Sequence, residues 1–198
     1  MIAPPERSQE RDAALDALLP LVPAEGWTVR ALFHAAGPDA DLLFPRGTAD
    51  VIEAYIDLAD RRMAEAAPAD WSGVRLPDRV RALIALRLAA ARPHKEAVRR
   101  AVAWLALPGH AVLAARCTAR TVDAIWYAAG DRAADFSWYT KRAILASVYT
   151  ATLLYWLRDD SEEDEATLAF LDRRLADVGR IGRLRRRLDA RCRAVAAA

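Results

Sequence analysis

The sequence predicts an all-α protein of about nine to ten helices, built as a small N-terminal head on a larger helical body. Three observations carry that prediction. Apolar residues recur three or four positions apart in almost every segment, alternating β-branched runs are missing, and the breaks between segments hold the Gly, Pro, Ser and Thr that start and stop helices. With 198 residues the chain is long enough to bury a sizeable core.

A first helix is expected from Ser8 to about Leu19, with Leu15, Leu18 and Leu19 inward and Pro20 and Pro23 ending it. Thr28 is placed to cap a helix from Val29 to Ala36 that stops at Gly37. A short turn leads through Leu42, Leu43 and Phe44 to Gly47, and Thr48 is read as the cap of a long helix bearing Val51, Ile52, Tyr55, Ile56 and Met63. Helix, tight glycine turn and second short helix have the outline of a helix-turn-helix. Its second element, PDADLLFP, holds Asp39 and Asp41 where a DNA reader needs positive charge, because phosphate neutralisation supplies most non-specific affinity. Nucleic acid is therefore not an expected partner.

After a loose stretch from Ala66 to Gly73, Pro77 suits the first turn of a helix that carries Val80, Leu83, Ile84, Leu86 and Leu88 and stops at Pro93. Further helices are expected from His94 to Leu107 and from His110 to Ala129. The next, from Ser137 to Leu157, is apolar on most sides, as in a helix that is buried or shared with a second subunit. Ser161 opens another with Glu162, Glu163, Asp164 and Glu165 in its first turn and Arg173 and Arg174 near its end, the polarity a helix dipole favours, and Gly179 is read as its stop. These boundaries divide the chain into a head (1–47), a helical body (48–179) and a terminal helix (180–198).

Charge is uneven. Of 29 basic and 27 acidic residues, seven arginines and one aspartate lie between Arg180 and Ala198, leaving 22 against 26 for the rest. Ile181, Leu184, Leu188, Cys192 and Val195 recur three to four apart in this end, with arginine over much of the remaining face. A basic helix of modest apolar content is suited to lie on an anionic membrane, each arginine near the surface adding about 1 kcal/mol. Ile181, Arg183, Leu184, Arg187, Leu188 and Val195 are the candidate membrane-binding residues. No apolar run approaches the roughly 18 to 20 residues that span a bilayer, and the first residues lack a secretory apolar core, so the expectation is a cytoplasmic protein peripheral to a membrane.

Catalysis has no visible constellation. Cys117 and Cys192 are single and distant, His34, His94 and His110 are scattered with no carboxylate three residues before them, and phosphate-cradling or nucleophile-elbow motifs are absent. No catalytic residue, metal or cofactor is expected. Aromatic mass is concentrated instead. Seven of the eleven Trp and Tyr residues lie between Trp126 and Trp156, including the pairs Trp126 with Tyr127 and Trp138 with Tyr139 on either side of Gly130. Such pairs fit either ordinary core or a lined cavity whose mouth, beside Trp126, is also a partner surface.

Seven ordered strings carry a resemblance: GWT, ALFHAAG, LFPRGTADVI, ALPGH, VDAIWYAAGD, DFSWYTKRAILASVY and TLAFLDRRL. Between about Gly26 and Val178 the chain resembles the coenzyme Q (ubiquinone) biosynthesis accessory family, a lipid-binding group on the TetR-repressor fold. The resemblance implies a non-enzymatic homodimer on the inner membrane that binds isoprenoid quinone or phospholipid and presents quinone intermediates to the demethoxyubiquinone hydroxylase. It places the partner surface on Leu107, Pro108, Gly109 and His110 with Asp123, Trp126 and Tyr127. The expected lipid-binding residues are Trp104, Leu107, Trp126, Tyr127, Trp138, Leu145, Val148 and Tyr149. A degenerate TetR-type transcription regulator with a small apolar effector is the other reading the outline allows.

Overall fold

A computed structural model describes the backbone over residues 3–131 and 137–196, and side chains over 3–131 and 139–180. Ten α-helices and no strand occur among the described residues. The head holds α1 (Gln9–Leu18), α2 (Val22–Glu25), α3 (Val29–Ala36) and α4 (Ala40–Leu43). The body holds α5 (Thr48–Glu65), α6 (Leu76–Ala91), α7 (Lys95–Leu105), α8 (Ala111–Ala128), α9 (Ser137–Trp156) and α10 (Glu165–Ala196).

Local chemistry explains most boundaries. Ser8 and Thr28 accept from the amides of Arg11 at 3.2 Å and Ala31 at 3.0 Å, satisfying donors that a helix start leaves open. Gly37, at φ 90°, ends α3 in a conformation that side chains disfavour. Two expectations are corrected. Thr48 does not cap α5: Gly47, at φ 62°, takes that position, and the Thr48 hydroxyl donates to the Trp27 carbonyl at 2.8 Å, tying the start of α5 to the head. Gly179 does not end α10, which runs on to Ala196, because a glycine stops a helix only where its backbone turns left-handed and Gly179 stays helical.

Helix α5 is the spine. It packs on α1 from the head and on α6 and α8 of the body, while α9 is held between α8 and α10. Leu15, Leu18 and Leu32 join Phe44, Ile52 and Met63 in one continuous core with Leu83, Ile84, Ile125, Trp156 and Leu171. The opposite face of α5 is charged and equally buried: Asp50, Glu53, Asp57 and Asp60 fall three and four residues apart, so they form a single stripe. Arginines from elsewhere close over it. Arg11 reaches Asp50 at 3.1 Å, Arg46 and Arg120 each reach Glu53 at 2.7 Å, Arg7 reaches Asp57 at 2.7 Å, and Arg87 reaches Asp60 at 2.7 Å. Head and body are thereby joined by ion pairs as well as by apolar contact.

Candidate ligand cavity

A cavity of about 280 Å³ lies inside the body, walled by five helices. On α8 the lining residues are Ala114, Cys117, Thr118 and Thr121, and on α7 they are Val98, Ala101, Val102 and Leu105. Both sets follow the three-and-four spacing of one helix face. Tyr149, Thr150, Leu153 and Leu154 repeat that spacing on α9, while α5 adds Tyr55 and Ile56 and α6 adds Arg87. Ala101, Ala114, Cys117, Thr118 and Thr121 are small residues on faces turned toward one another, which is why the helices meet around a space rather than a filled core. A second groove, about 590 Å³ but open along the surface, runs between α6 and the start of α10 past Ala82, Ala85, Ala89 and Leu168.

The cavity between the five helices, open to solvent on one side, is mostly apolar with a small polar set. Arg87 Nε donates to Asp60 at 2.7 Å, and the Thr121 hydroxyl donates to the other Asp60 oxygen at 2.8 Å. Burial pushes the Asp60 carboxyl up, opposed by Arg87 and Thr121. Burial alone would lower the pKa of Arg87, but the charge and hydrogen bond of Asp60 oppose it and the guanidinium is raised above its usual range. Burial likewise pushes the Cys117 thiol up to about 11 and the Tyr149 phenol up to about 12, so both stay protonated at neutral pH. Neither group is thereby an activated nucleophile. Among the described residues no three His, Cys, Asp or Glu side chains converge as metal ligands would.

Of the lipid-binding residues expected from the sequence, Tyr149 lines this cavity. Leu145 and Val148 are buried on α9 in the continuous core, outside the lining. Trp104 is half-buried and stacks on His110, with ring centroids 3.5 Å apart, and Leu107 is 52% exposed. Trp126 is half-buried with a sealed, unpartnered Nε1, and Tyr127 is exposed. The Trp138 side chain lies outside the described residues.

The mouth is not beside Trp126. The lining of α8 ends at Thr121, and the opening lies at Leu105, Ala106, Thr150 and the exposed Leu154, toward the other end of α8. The expected partner surface is likewise divided. Leu107, Pro108, Gly109 and His110 precede α8 next to the mouth, while Asp123, Trp126 and Tyr127 sit near its far end, roughly 20 Å along the axis. Asp123 is paired with Arg142. Ile181, Arg183, Leu184, Arg187, Leu188 and Val195 fall in α10, with side chains outside the described residues. What sequence reasoning missed is Arg87 and the small residues of α7 and α8; the recurrence of Ala, Cys and Thr at 114, 117, 118 and 121 was the available signal.

The COQ9 family model matches residues 111–182, which span α8, α9 and part of α10. The human mitochondrial ubiquinone biosynthesis protein COQ9 is 30% identical over 181 residues, covering 85% of this chain and 57% of the relative. Its Drosophila melanogaster counterpart is 33% identical over 178 residues, covering 85% and 55%. The chain therefore spans little more than half the length of these curated relatives. A solved TetR transcriptional regulator from Nitrosomonas europaea superposes with a TM-score of 0.69 at 26% identity, over 85% of this chain and 97% of that one. The chain is related to the COQ9 proteins by sequence and is TetR-like in fold.

Proposed function

We propose that this chain, a relative of the COQ9 proteins with a role in ubiquinone biosynthesis, is a lipid-binding accessory protein and not itself an enzyme. It takes hold of an isoprenoid quinone intermediate at the membrane and presents it to the demethoxyubiquinone hydroxylase. The observation that supports this reading most is the mostly apolar cavity, open on one side, with protonated Cys117 and Tyr149 in its wall. Apolar burial is worth about 25 cal/mol per Å² in a cavity and in a bilayer alike, so the part of the ligand that enters the cavity leaves the bilayer at close to no cost, and fit decides whether it enters. The basic end of α10 supports placement on an anionic inner-membrane surface, where a homodimer sits peripherally. Leu107 to His110, beside the mouth, are where a hydroxylase gains most by docking, since the ligand then has the shortest way to travel.

The test is hydroxylase turnover on long-chain demethoxyquinone in anionic vesicles, with and without this chain. Turnover rises with the wild-type chain and stays at the unassisted rate with Thr118→Phe, which fills the chamber. Equal stimulation by both proteins contradicts the proposal. A second reading, an effector-binding transcription regulator, draws on the TetR-like fold and the helix-turn-helix outline. Against it, α4 has only one turn and both Asp39 and Asp41 are exposed there, opposing a phosphate backbone. Retardation of the chain's own upstream DNA that weakens with salt would establish that second reading.

A further inference from the structure

The size of the cavity and the state of its polar groups decide which end of a ligand it takes. A chamber of 150 Å³ in another protein, lined by aliphatic and aromatic side chains, is known to hold benzene, so the roughly 280 Å³ found here suits a substituted six-membered ring with a short stub of chain. It is far too small for a long polyprenyl tail. Its walls also carry more hydrogen-bonding capacity than a tail would use. Arg87 is 7% exposed and its one hydrogen bond among the described residues is from Nε to Asp60, which leaves the terminal N–H groups without acceptors. Those nitrogens are not sealed in protein, and Arg87 lines the cavity. The Tyr149 hydroxyl is in the same position: 5% exposed overall, on the cavity wall, unpartnered and not sealed. The Arg87 guanidinium carbon lies 5.5 Å from the Tyr149 ring centroid, so the two donors are neighbours.

We infer that Arg87 and Tyr149 form a head-group site, donating hydrogen bonds to the oxygen of a quinone or phenol ring that enters the cavity while the isoprenoid tail leaves through the mouth. The inference rests on the lipid-accessory reading and adds the polarity of binding. Unmet donors in a low-dielectric chamber favour a ligand that supplies acceptors and disfavour a plain hydrocarbon, which leaves them unpaired. Asp60 is the positioning residue: its bond to Nε fixes the plane of the guanidinium, and Thr121 fixes Asp60 in turn. The tail leaves past Leu105 and Leu154 beside exposed Leu107, so an apolar path continues outside the mouth.

The experiment uses two probes on the full chain: a benzoquinone carrying one isoprene unit, and geraniol, an isoprenoid alcohol with no ring. Quenching of tryptophan fluorescence reports the quinone, and displacement by geraniol reports the alcohol. Tyr149→Phe removes one hydroxyl and keeps the ring; Arg87→Lys keeps the charge facing Asp60 and loses the planar fork. Each variant weakens the quinone about tenfold, the loss expected for one hydrogen bond worth about 1.4 kcal/mol, and leaves geraniol within twofold. Circular dichroism confirms that both are folded, and Tyr149→Phe alone suffices if Arg87→Lys is not. Geraniol binding as tightly as the quinone, with neither probe sensitive to the variants, overturns the head-group site and leaves a tail carrier. Failure of both probes, with no uptake of long-chain quinone from vesicles, overturns the site together with the function it rests on.

Discussion

Asp159 holds the turn between α9 and α10. Its carboxylate accepts from the Ser161 amide at 2.9 Å, the Thr167 amide at 2.7 Å and the Thr167 hydroxyl at 2.5 Å. Burial alone would raise its pKa, but these bonds outweigh it and hold the carboxyl well below the usual range. A depressed folded pKa means stability that is present above the unfolded value of about 3.9 and lost as pH falls below it. Asp159→Ala is therefore expected to cost about 1 to 2 kcal/mol in urea unfolding at neutral pH, and the gap from wild type should close steadily below about pH 4. A gap independent of pH would contradict the role of the ionised carboxylate. At Cys117, burial and a raised pKa predict slow alkylation near neutral pH, slowed further by any occupant of the cavity; in a Cys192→Ser background this gives a direct readout. Serine-capped turns such as Ser8 were legible from the sequence because the cap and its target are three residues apart. Asp159 was not, because its partner Thr167, eight residues on, belongs to the next helix.

Helix α5 shows how far periodicity carries and where it stops. Val51, Ile52, Tyr55 and Met63 were readable as its inward face, and they are buried. The opposite stripe, Asp50, Glu53, Asp57 and Asp60, has the pattern of a solvated face, yet it is buried because α1, α6 and α8 bring arginines onto it from positions 11, 87 and 120. Nothing local in the sequence joins residues that far apart. Removing one partner of a buried pair leaves the other charge uncompensated, so Arg120→Met is expected to cost about 3 to 5 kcal/mol. Glu53→Leu together with Arg120→Met should cost less than the two single losses added, as a double-mutant cycle in urea would reveal. Strict additivity would mean that the pair is not coupled. The cavity was illegible for a related reason: alanine and threonine on α7 and α8 read as ordinary helix, and only the convergence of five helices turns their small size into a space.

At the scale of the whole molecule, a TetR-like fold retains its helix-turn-helix outline as a reduced, acidic head and has its chamber in the body. The all-α class and the order of its helices followed from capping residues and apolar spacing. The position of the mouth did not, since it depends on which end of α8 the facing helices leave uncovered. Deleting everything after Gly179 is expected to abolish co-sedimentation with anionic liposomes while the remaining body keeps its helical signal; unchanged sedimentation would place membrane contact elsewhere. The proposed carriage of isoprenoid quinone is tested most directly by solvent extraction and mass spectrometry of the protein purified from a quinone-making host. The account predicts a ring-bearing isoprenoid in the wild-type extract and its loss from Thr118→Phe. An empty wild-type protein, or equal lipid in both, would contradict it.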